Sequence, residues 1–416
     1  MSEPIYRSRP GGFGLKPASQ AEATRINDFV WLSEGLSNSY LVVTPEGRVV
    51  INTGMGFEGP VHKRNFDAVD RGPVRYILLT QSHVDHVGGV ELFREPGTEI
   101  VAQANNRACQ EDDQRIHRFR VRHSAPFFPI AVDRAEKNLA VQARPEPTIT
   151  FEDRFDFTLG GVRFELLATP GGETIDSMCV WLPEHRIVFV GNVFSALFGH
   201  FPNLVTLRGD RLRFVPPFLA AVERVRALEP ELLLTGHFGP IEGAARIREE
   251  LTRLHDGVRF VHDETVKGMN EGKDLHTLMR EIRLPEALEL GQGYGRVSWG
   301  VRAIWEGYAG WFQQSSTTEL YPVPAREVYP DVVELAGGAE VVARRARARL
   351  ARGEAVAAVH LAEMALAFEP TARAALEVYA AAHERLLEES GGVNFWEVGW
   401  LRHRIAWAKS ALEELA

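Results

Sequence analysis

The sequence predicts an α/β protein in which an αβ/βα sandwich is followed by an all-helical region. Between Arg25 and about Gly243, apolar strand-like runs alternate with turn signals and helical patterns, and the strands fall into two groups. After about Ala244 the strand signals end and only helical periodicity continues. Periodicity alone does not separate a sandwich from a doubly wound sheet. The order along the chain of the His-, Asp- and Glu-containing segments that follow the strands favours the sandwich.

The elements follow from short apolar runs and from longer helical patterns. The predicted strands are residues 29–32, 40–43, 49–51, 76–79, 100–102, 149–151, 162–167, 178–182, 187–190 and 232–234. The predicted helices are residues 218–228, 245–267, 275–282, 301–312, 333–351, 355–368 and 371–388. The last three resemble stacked helix hairpins, although no clean repeat of about 34 residues is present.

These elements divide the chain into three parts. Residues 1–20 are rich in Gly, Pro and polar residues and are predicted to form a loose arm. Residues 21–243 form the predicted sandwich, which is the expected catalytic domain. Residues 244–416 form the predicted helical domain.

Composition restricts the classes of function. The net charge of -9 and the pI of about 5.9 argue against nucleic acid or an anionic membrane surface as the main partner. No leader-like apolar segment begins the chain, and no run of about 18 apolar residues occurs. Cys109 and Cys179 lie in no metal-spaced motif. We therefore expect a cytoplasmic protein that acts on a small molecule.

The segment 78–89 carries the strongest chemical signal. It contains the end of the apolar run 74–79 and places His83, Asp85 and His86 within four residues. Imidazoles and carboxylates suit a divalent cation such as zinc, manganese or iron. The Gly-Gly pair that follows predicts a tight turn from strand to helix. A metal site is therefore expected at the carboxyl edge of a sheet.

Three later turns follow predicted strands and extend this site. Glu173 follows one strand, and His237 closes another. The third turn offers Gly191 and Asn192, neither of which is charged. A hydrolytic metal site needs ligands from several strand ends and one position left open for water.

Residues 80–89 resemble the metallo-β-lactamase signature T-H-x-H-x-D-H-x-G-G, with Gln81 in the place of the first His. The resemblance implies an αββα sandwich and a metal-dependent hydrolase. The implied ligands form two sets: Asp85, His86 and His237 in the intact set, and His83, Glu173 and the neutral Gln81 in the other. The acidic residue that usually bridges two metals is absent from the turn at Gly191 and Asn192. One tightly bound divalent metal is therefore expected, and a second metal is expected to bind weakly or not at all. Zn²⁺ is the first choice, although iron and manganese accept the same ligands.

A second resemblance, to class III alkylsulfatases of the metallo-β-lactamase fold, covers nearly the whole chain. Residues 171–178, G-G-E-T-I-D-S-M, resemble the P-G-T-E-A-P-A-E-M segment of that family. The family's motif A-E-N…H-N-L-x-T-L-R-G-A is similar to residues 192–210, which end P-N-L-V-T-L-R-G-D. The resemblance implies that Glu173 is a zinc ligand and that Asn203 and Arg208 contact a sulfate group. The family's second Glu ligand falls on Gly191.

Further matches to alkylsulfatases lie in the helical region, including residues 262–266, 269–273, 293–298 and 334–339. They imply a dimerisation domain, and we expect an apolar interface between about residues 244 and 310. The dimer is expected to be a homodimer, or a heteromer with a paralogue. The family's sterol-carrier-like C-terminal domain is expected to be absent, since the chain stops at Ala416.

We therefore expect a metal-dependent hydrolase in which Asp85 binds the metal and positions the nucleophile. Arg208 and Asn203 would orient an oxyanion of a substrate such as an alkyl sulfate. Three alternatives remain at this point. The substrate is another ester, a thioester or an activated aryl ether; the chain is a degenerate, non-catalytic subunit that partners an intact paralogue; or it is an iron redox enzyme. Gln81 and Gly191 favour the degenerate subunit, and no flavin or CxxC motif supports the redox enzyme.

Overall fold

The computed structural model describes residues 3–129, 132–133, 137 and 142–415. Within them, thirteen strands form two sheets. The first sheet has the order β1 (Thr24–Arg25), β2 (Val30–Ser33), β3 (Ser39–Thr44), β4 (Gly47–Ile51), β5 (Val74–Leu79), β6 (Glu99–Gln103) and β7 (Ile149–Phe151). The second has the order β13 (Ile241–Glu242), β12 (Leu232–Thr235), β11 (Ile187–Gly191), β10 (Met178–Leu182), β9 (Val162–Ala168) and β8 (Arg154–Leu159).

The described helices come between and after these strands. They are α1 (Gly59–Val69), α2 (Val84–Val87), α3 (Val90–Phe93), α4 (Asn106–Arg115), α5 (His117–Ser124), α6 (Val215–Arg226), α7 (Ala244–Asn270), α8 (Leu275–Glu281), α9 (Val297–Ala309), α10 (Tyr329–Leu335), α11 (Ala339–Ala351), α12 (Ala355–Phe368), α13 (Arg373–Glu389) and α14 (Phe395–Glu414). Short 3-10 helices lie at Ile5–Arg7, Gly12–Gly14, Pro183–His185, Glu286–Leu288, Thr317–Leu320 and Ala325–Val328. None of the described helices combines the length and the apolar character needed to span a bilayer.

Strand β3 shows why the fold has four layers. Tyr40 packs between the two sheets, where its ring centroid lies 5.2 Å from that of Phe189 on β11. Its neighbour Leu41 packs on the outer face with Phe66 of α1. Successive strand residues point to opposite faces, so a strand that is apolar on both faces needs a cover on both. Helices supply the outer cover of the first sheet.

The second sheet is covered on its outer face in the same way. Trp181 and Val188 pack there with Phe218 of α6 and Leu251 of α7. The layers are therefore helix, sheet, sheet and helix, which confirms the αββα sandwich followed by a helical region.

The ten predicted strands are present, with boundaries within two residues of those expected. Strands β1, β8 and β13 were not predicted. The single helix expected over residues 333–351 is wrong, because Gly337 and Gly338 have φ values of +97° and +103° and separate α10 from α11. A left-handed backbone of this kind ends a helix.

The chain packs as two compact units, Met1–Gly307 and Tyr308–Ala416. The sequence placed a boundary at residue 244, but α7 covers the second sheet and so belongs to the first unit. The N-terminal segment differs from the expected loose arm as well. Ile5 is buried, and its N–H donates to Oε1 of Glu250 at 3.2 Å.

Candidate active site

Asp85, His86 and His237 meet where strands from the two sheets end. Asp85 and His86 lie on the short helix α2, just after β5, and His237 follows β12. Each residue offers one ligand atom, and these atoms lie within 4.8 Å of one another. The structure therefore brings together the intact ligand set expected from sequence.

The backbone around α2 explains the glycine pair that follows it. The N–H of Thr53 donates to the carbonyl of His86 at 2.8 Å, and the N–H of Gly88 donates to the carbonyl of Gly54 at 2.9 Å. A Cβ on Gly89 would lie 2.5 Å from the carbonyl oxygen of Thr53. Gly88 and Gly89 have negative φ values of -64° and -94°. The expected tight turn is therefore a close approach of two chain segments, for which only glycine leaves room.

The protonation state of this cluster suits a metal. Burial lowers the pKa of His86 to about 4, and burial also lowers the pKa of His237. Within the described part of the chain, neither ring nitrogen of His86 has a hydrogen-bond partner. Neutral imidazoles and a carboxylate are the forms that coordinate zinc. The three side chains therefore fit a divalent ion.

The second set of expected ligands is arranged differently. Gln81 Nε2 donates to Glu173 Oε2 at 2.9 Å and lies 2.9 Å from Nδ1 of His83. The other ring nitrogen of His83 lies 3.3 Å from Oδ2 of Asp210. The ring of His83 therefore lies between the carboxylates of Glu173 and Asp210. Its nitrogens face these two groups and not a common position that a metal ion could occupy. Among the described residues, the group with metal-binding geometry is Asp85, His86 and His237.

A protein cation lies beside Glu173. Arg213 Nη2 is 3.2 Å from Oε1 of Glu173, and both side chains are almost fully buried. Glu173 therefore has an N–H donor on one oxygen and a guanidinium on the other. These contacts pair the buried carboxylate of Glu173 with donors from the protein itself.

Gly191 cannot be replaced by a bridging acid without rearrangement. Its φ is +51°, and a Cβ there would lie 2.3 Å from Oγ1 and 2.7 Å from Cβ of Thr80. Thr80 is itself fixed, because its N–H and its hydroxyl group both hydrogen-bond the side chain of Asn52. A side chain at position 191 would therefore require Thr80 to move.

The two residues expected to contact an oxyanion lie in different surroundings. Arg208 lines the cavity next to Asp85 and His237. Asn203 is buried, and within the described residues it does not line that cavity. Its backbone carbonyl accepts a hydrogen bond from Arg213 at 3.1 Å. Asn203 therefore supports the loop that carries Arg208 and Arg213.

The cavity has a volume of about 240 Å³ and combines an apolar wall with a charged end. The apolar lining includes Leu36, Met55, Val84, Val121 and Phe128. The charged end includes Asp85, His237 and Arg208, together with Tyr294, whose pKa burial raises to about 12. The lining also contains the ionisable side chains Asp113, His117, Arg120 and Arg144. Such a cavity accommodates a small amphipathic molecule with its polar group next to the ligand cluster.

Sequence analysis missed Arg120, Asp210, Arg213 and Tyr294 as site residues. Asp210 and Arg213 lie in the charged stretch R-G-D-R-L-R, which was visible in the sequence. Nothing in the sequence connects α5, which carries Arg120, with this loop.

Comparisons with known proteins agree with this architecture. The model of the metallo-beta-lactamase superfamily matches residues 32–261, and the model of alkyl sulfatase dimerisation matches residues 275–397. A linear primary-alkylsulfatase of a Pseudomonas species is 26% identical over 85% of this chain and 71% of its own length. An alkyl/aryl-sulfatase of Saccharomyces cerevisiae is 25% identical over 87% of this chain and 60% of its own length.

A solved structure, that of a stereoselective inverting secondary alkylsulfatase of a Pseudomonas species, has the same fold. It superimposes with a TM-score of 0.79 at 20% identity, over 94% of this chain and 65% of that protein. A double mutant of a secondary alkylsulfatase gives a TM-score of 0.82, also at 20% identity, over 94% of this chain and 66% of that protein. The chain therefore belongs to the metallo-beta-lactamase superfamily and carries an alkyl sulfatase dimerisation region.

Proposed function

We propose that this chain is a metal-dependent hydrolase that cleaves sulfate esters with an apolar chain. The observation that carries the proposal is the cluster of Asp85, His86 and His237 at the charged end of a cavity that also has an apolar wall. Arg208 at the same end is suited to an anionic group, because a guanidinium binds oxyanions through paired N–H donors. The similarity to alkylsulfatases supports the same class of substrate.

One divalent metal, which we propose is zinc, would be held by Asp85, His86 and His237. Zinc in such a site lowers the pKa of a bound water and so provides hydroxide at neutral pH. Asp85 would also orient the nucleophile, while Arg208 would hold an oxygen of the sulfate group. The apolar wall would bind the alkyl chain and exclude water from the reacting end of the cavity. Gln81, His83 and Glu173 surround this centre, and Arg213 takes over part of the charge balance of a second ion.

The location and assembly belong to the same proposal. We propose a homodimer located in the cytoplasm, and the match of residues 275–397 to a dimerisation region supports the dimer. An intact paralogue as the partner is the alternative assembly.

Metal content tests the ligand assignment. Protein purified without added metal is expected to contain about one tightly bound zinc per chain, because one three-ligand set has metal-binding geometry. His237→Ala should abolish tight binding. Gln81→Ala, the control at the edge of the site, should leave the stoichiometry unchanged. Two tight ions per chain in the wild type, or none, would contradict this assignment.

A substrate screen tests the reaction itself. Linear alkyl sulfates, neutral esters and activated ethers should be compared with the same metal-loaded protein, before and after chelation. We expect turnover of alkyl sulfates that chelation removes and zinc restores. Turnover of a neutral ester alone would replace the sulfatase proposal with another hydrolase. A protein that binds zinc but turns over none of these compounds would fit the degenerate subunit.

A further inference from the structure

The loop after β11 places one carboxylate oxygen among four cationic or proton-carrying side chains. Asp210 Oδ2 lies 3.3 Å from Nε2 of His83, 3.5 Å from Nη2 of Arg120, 3.7 Å from Nη2 of Arg208 and 3.8 Å from Nη2 of Arg213. These groups come from three separate parts of the chain. They make a cationic corner, which Glu173 also contacts through Arg213 and His83 and which Asp113 contacts through Arg120. His83, Arg120 and Arg208 line the cavity as well.

The contact distances indicate that a carboxylate fills this corner incompletely. Charge-assisted hydrogen bonds are usually about 2.7–2.9 Å long, and none of these four contacts is shorter than 3.3 Å. The other oxygen of Asp210 accepts a hydrogen bond from the N–H of Arg211 at 2.8 Å and therefore faces its own loop. A single oxygen of a planar carboxylate group cannot accept good hydrogen bonds from all four surrounding donors. A tetrahedral oxyanion such as sulfate has oxygens that point in different directions, and these could accept hydrogen bonds from several of the four donors.

The carboxylate is also a departure from the motif that this loop resembles. The alkylsulfatase motif ends T-L-R-G-A, whereas this chain has T-L-R-G-D at residues 206–210. Asp210 thus adds a negative charge beside Arg208, the residue proposed to hold the sulfate group. A fixed negative charge there competes with any anion for the same guanidinium.

We propose that Asp210 is a specificity-determining residue, a built-in occupant of an oxyanion corner formed by Arg120, Arg208, Arg213 and His83. By occupying this corner it weakens the binding of free sulfate and phosphate. An ester of sulfate gains further contacts from its alkyl chain along the apolar wall and is therefore retained. The free sulfate that leaves the reaction has no such chain and dissociates. The retention of the ester and the release of sulfate rest on the proposed function. The effect of Asp210 on the binding of free anions does not, since that binding is measured without turnover.

Calorimetric titration with inorganic sulfate tests the proposal. It should be carried out on protein of matched metal content. The wild type is expected to bind sulfate weakly, whereas Asp210→Asn should bind it about 10- to 100-fold more tightly, because the competing charge is removed and the shape is kept. Asp113→Asn is the matched control, since Asp113 pairs with the same Arg120 but contacts neither Arg208 nor Arg213 in the described contacts. Equal gains in both variants would show a general effect of net charge and overturn the proposal.

Two further measurements keep the outcome decisive. Sulfate should raise the unfolding temperature of Asp210→Asn more than that of the wild type, because the anion replaces the missing charge among the guanidiniums. If that variant does not fold, the wild type alone decides, since submillimolar binding of sulfate to it would overturn the proposal. A wild type that turns over no sulfate ester would reject the proposed function and leave the result of the sulfate titration intact.

Discussion

At the level of single residues, the close approach of Thr80 to Gly191 supports the proposal of one metal ion per chain. Two divalent ions about 4 Å apart repel each other by on the order of 15–20 kcal/mol at an effective dielectric constant of about 20, and a bridging acid normally offsets this. Here a side chain at position 191 would overlap Thr80. Since the bridge is missing and Arg213 lies beside Glu173, we expect the site to hold one ion.

The same contact predicts the cost of any side chain at position 191. Gly191→Ala would combine a left-handed backbone with overlap against Thr80, and we expect a loss of roughly 2–4 kcal/mol in the free energy of unfolding. Gly161→Ala is the control, because Gly161 has a φ of +83° but open space around its Cβ position. That control should lose only about 1–2 kcal/mol. Urea unfolding measures both values, and equal losses would mean that Thr80 moves aside.

Arg208 provides a test of substrate charge. A Lys ammonium cannot reproduce the paired donors of a guanidinium, so Arg208→Lys should lower kcat/KM for an alkyl sulfate by roughly 10- to 150-fold. Arg211→Lys is the matched control in the same loop, because Arg211 is exposed and pairs with Asp112. A neutral substrate should respond much less to the change at position 208. Equal activity of Arg208→Lys and the wild type on alkyl sulfates would remove Arg208 from the anion site.

At the level of elements, the sequence predicted best what depends on local pattern. Strands such as β10 and β11 are continuous apolar runs, and both were found within one residue. Strand β8 was not predicted, although its residues R-F-D-F-T-L alternate between polar and apolar side chains as in a half-buried strand. Helix α14 was missed as well, and its aromatic-rich start at Phe395 and Trp396 gives little helical periodicity.

In the candidate site, too, the sequence predicted the residues that local patterns mark and missed those that distant segments bring together. Asp85, His86 and His237 were predicted because each follows a strand, and strand ends meet at one edge of a sandwich. The neighbours of Asp210 could not be predicted, because Arg120 reaches it from α5 across about 90 positions of sequence. Contacts of this kind depend on how a long loop folds back. No local pattern encodes them.

The start of α14 gives a test at the level of one helix. Asn394 is buried, and its Oδ1 accepts hydrogen bonds from the N–H groups of Trp396 at 3.0 Å and Glu397 at 3.1 Å. Asn394→Ala removes this cap and should cost about 1–2 kcal/mol of unfolding free energy. Asn394→Ser is the control, because it loses the amide but keeps a capping oxygen. Urea unfolding followed by far-UV circular dichroism should show a smaller loss of unfolding free energy for Asn394→Ser than for Asn394→Ala. Equal losses would mean that the capping hydrogen bonds do not stabilise the helix.

At the level of the whole molecule, the two compact units differ in how they are built. Met1–Gly307 contains both sheets and all the residues of the candidate site. Tyr308–Ala416 is built of helices that pack against their neighbours in sequence through small side chains such as Ala346, Ala362 and Ala408. Alanine lets helix axes approach closely, and contacts between sequence neighbours are typical of hairpin arrays.

Exposed aromatic residues near the start of the second unit predict self-association. Trp311 is 71% exposed in the single chain and lies within the matched dimerisation region. We expect light scattering at micromolar concentration to give a mass twice the 46.5 kDa of one chain. Trp311→Ala should raise the dimer dissociation constant by about 30-fold or more, since buried Trp residues dominate protein interfaces.

Trp400→Ala is the matched control for this dimer, because Trp400 is also exposed but lies outside residues 275–397. It should leave the dissociation constant unchanged, whereas an interface formed through α14 would reverse the order of the two variants. A monomeric wild type at micromolar concentration would contradict the dimer itself. Since the residues of the candidate site all lie in Met1–Gly307, monomeric Trp311→Ala should still bind one zinc per chain. Metal loss that accompanies dissociation would instead show that the site depends on the second copy.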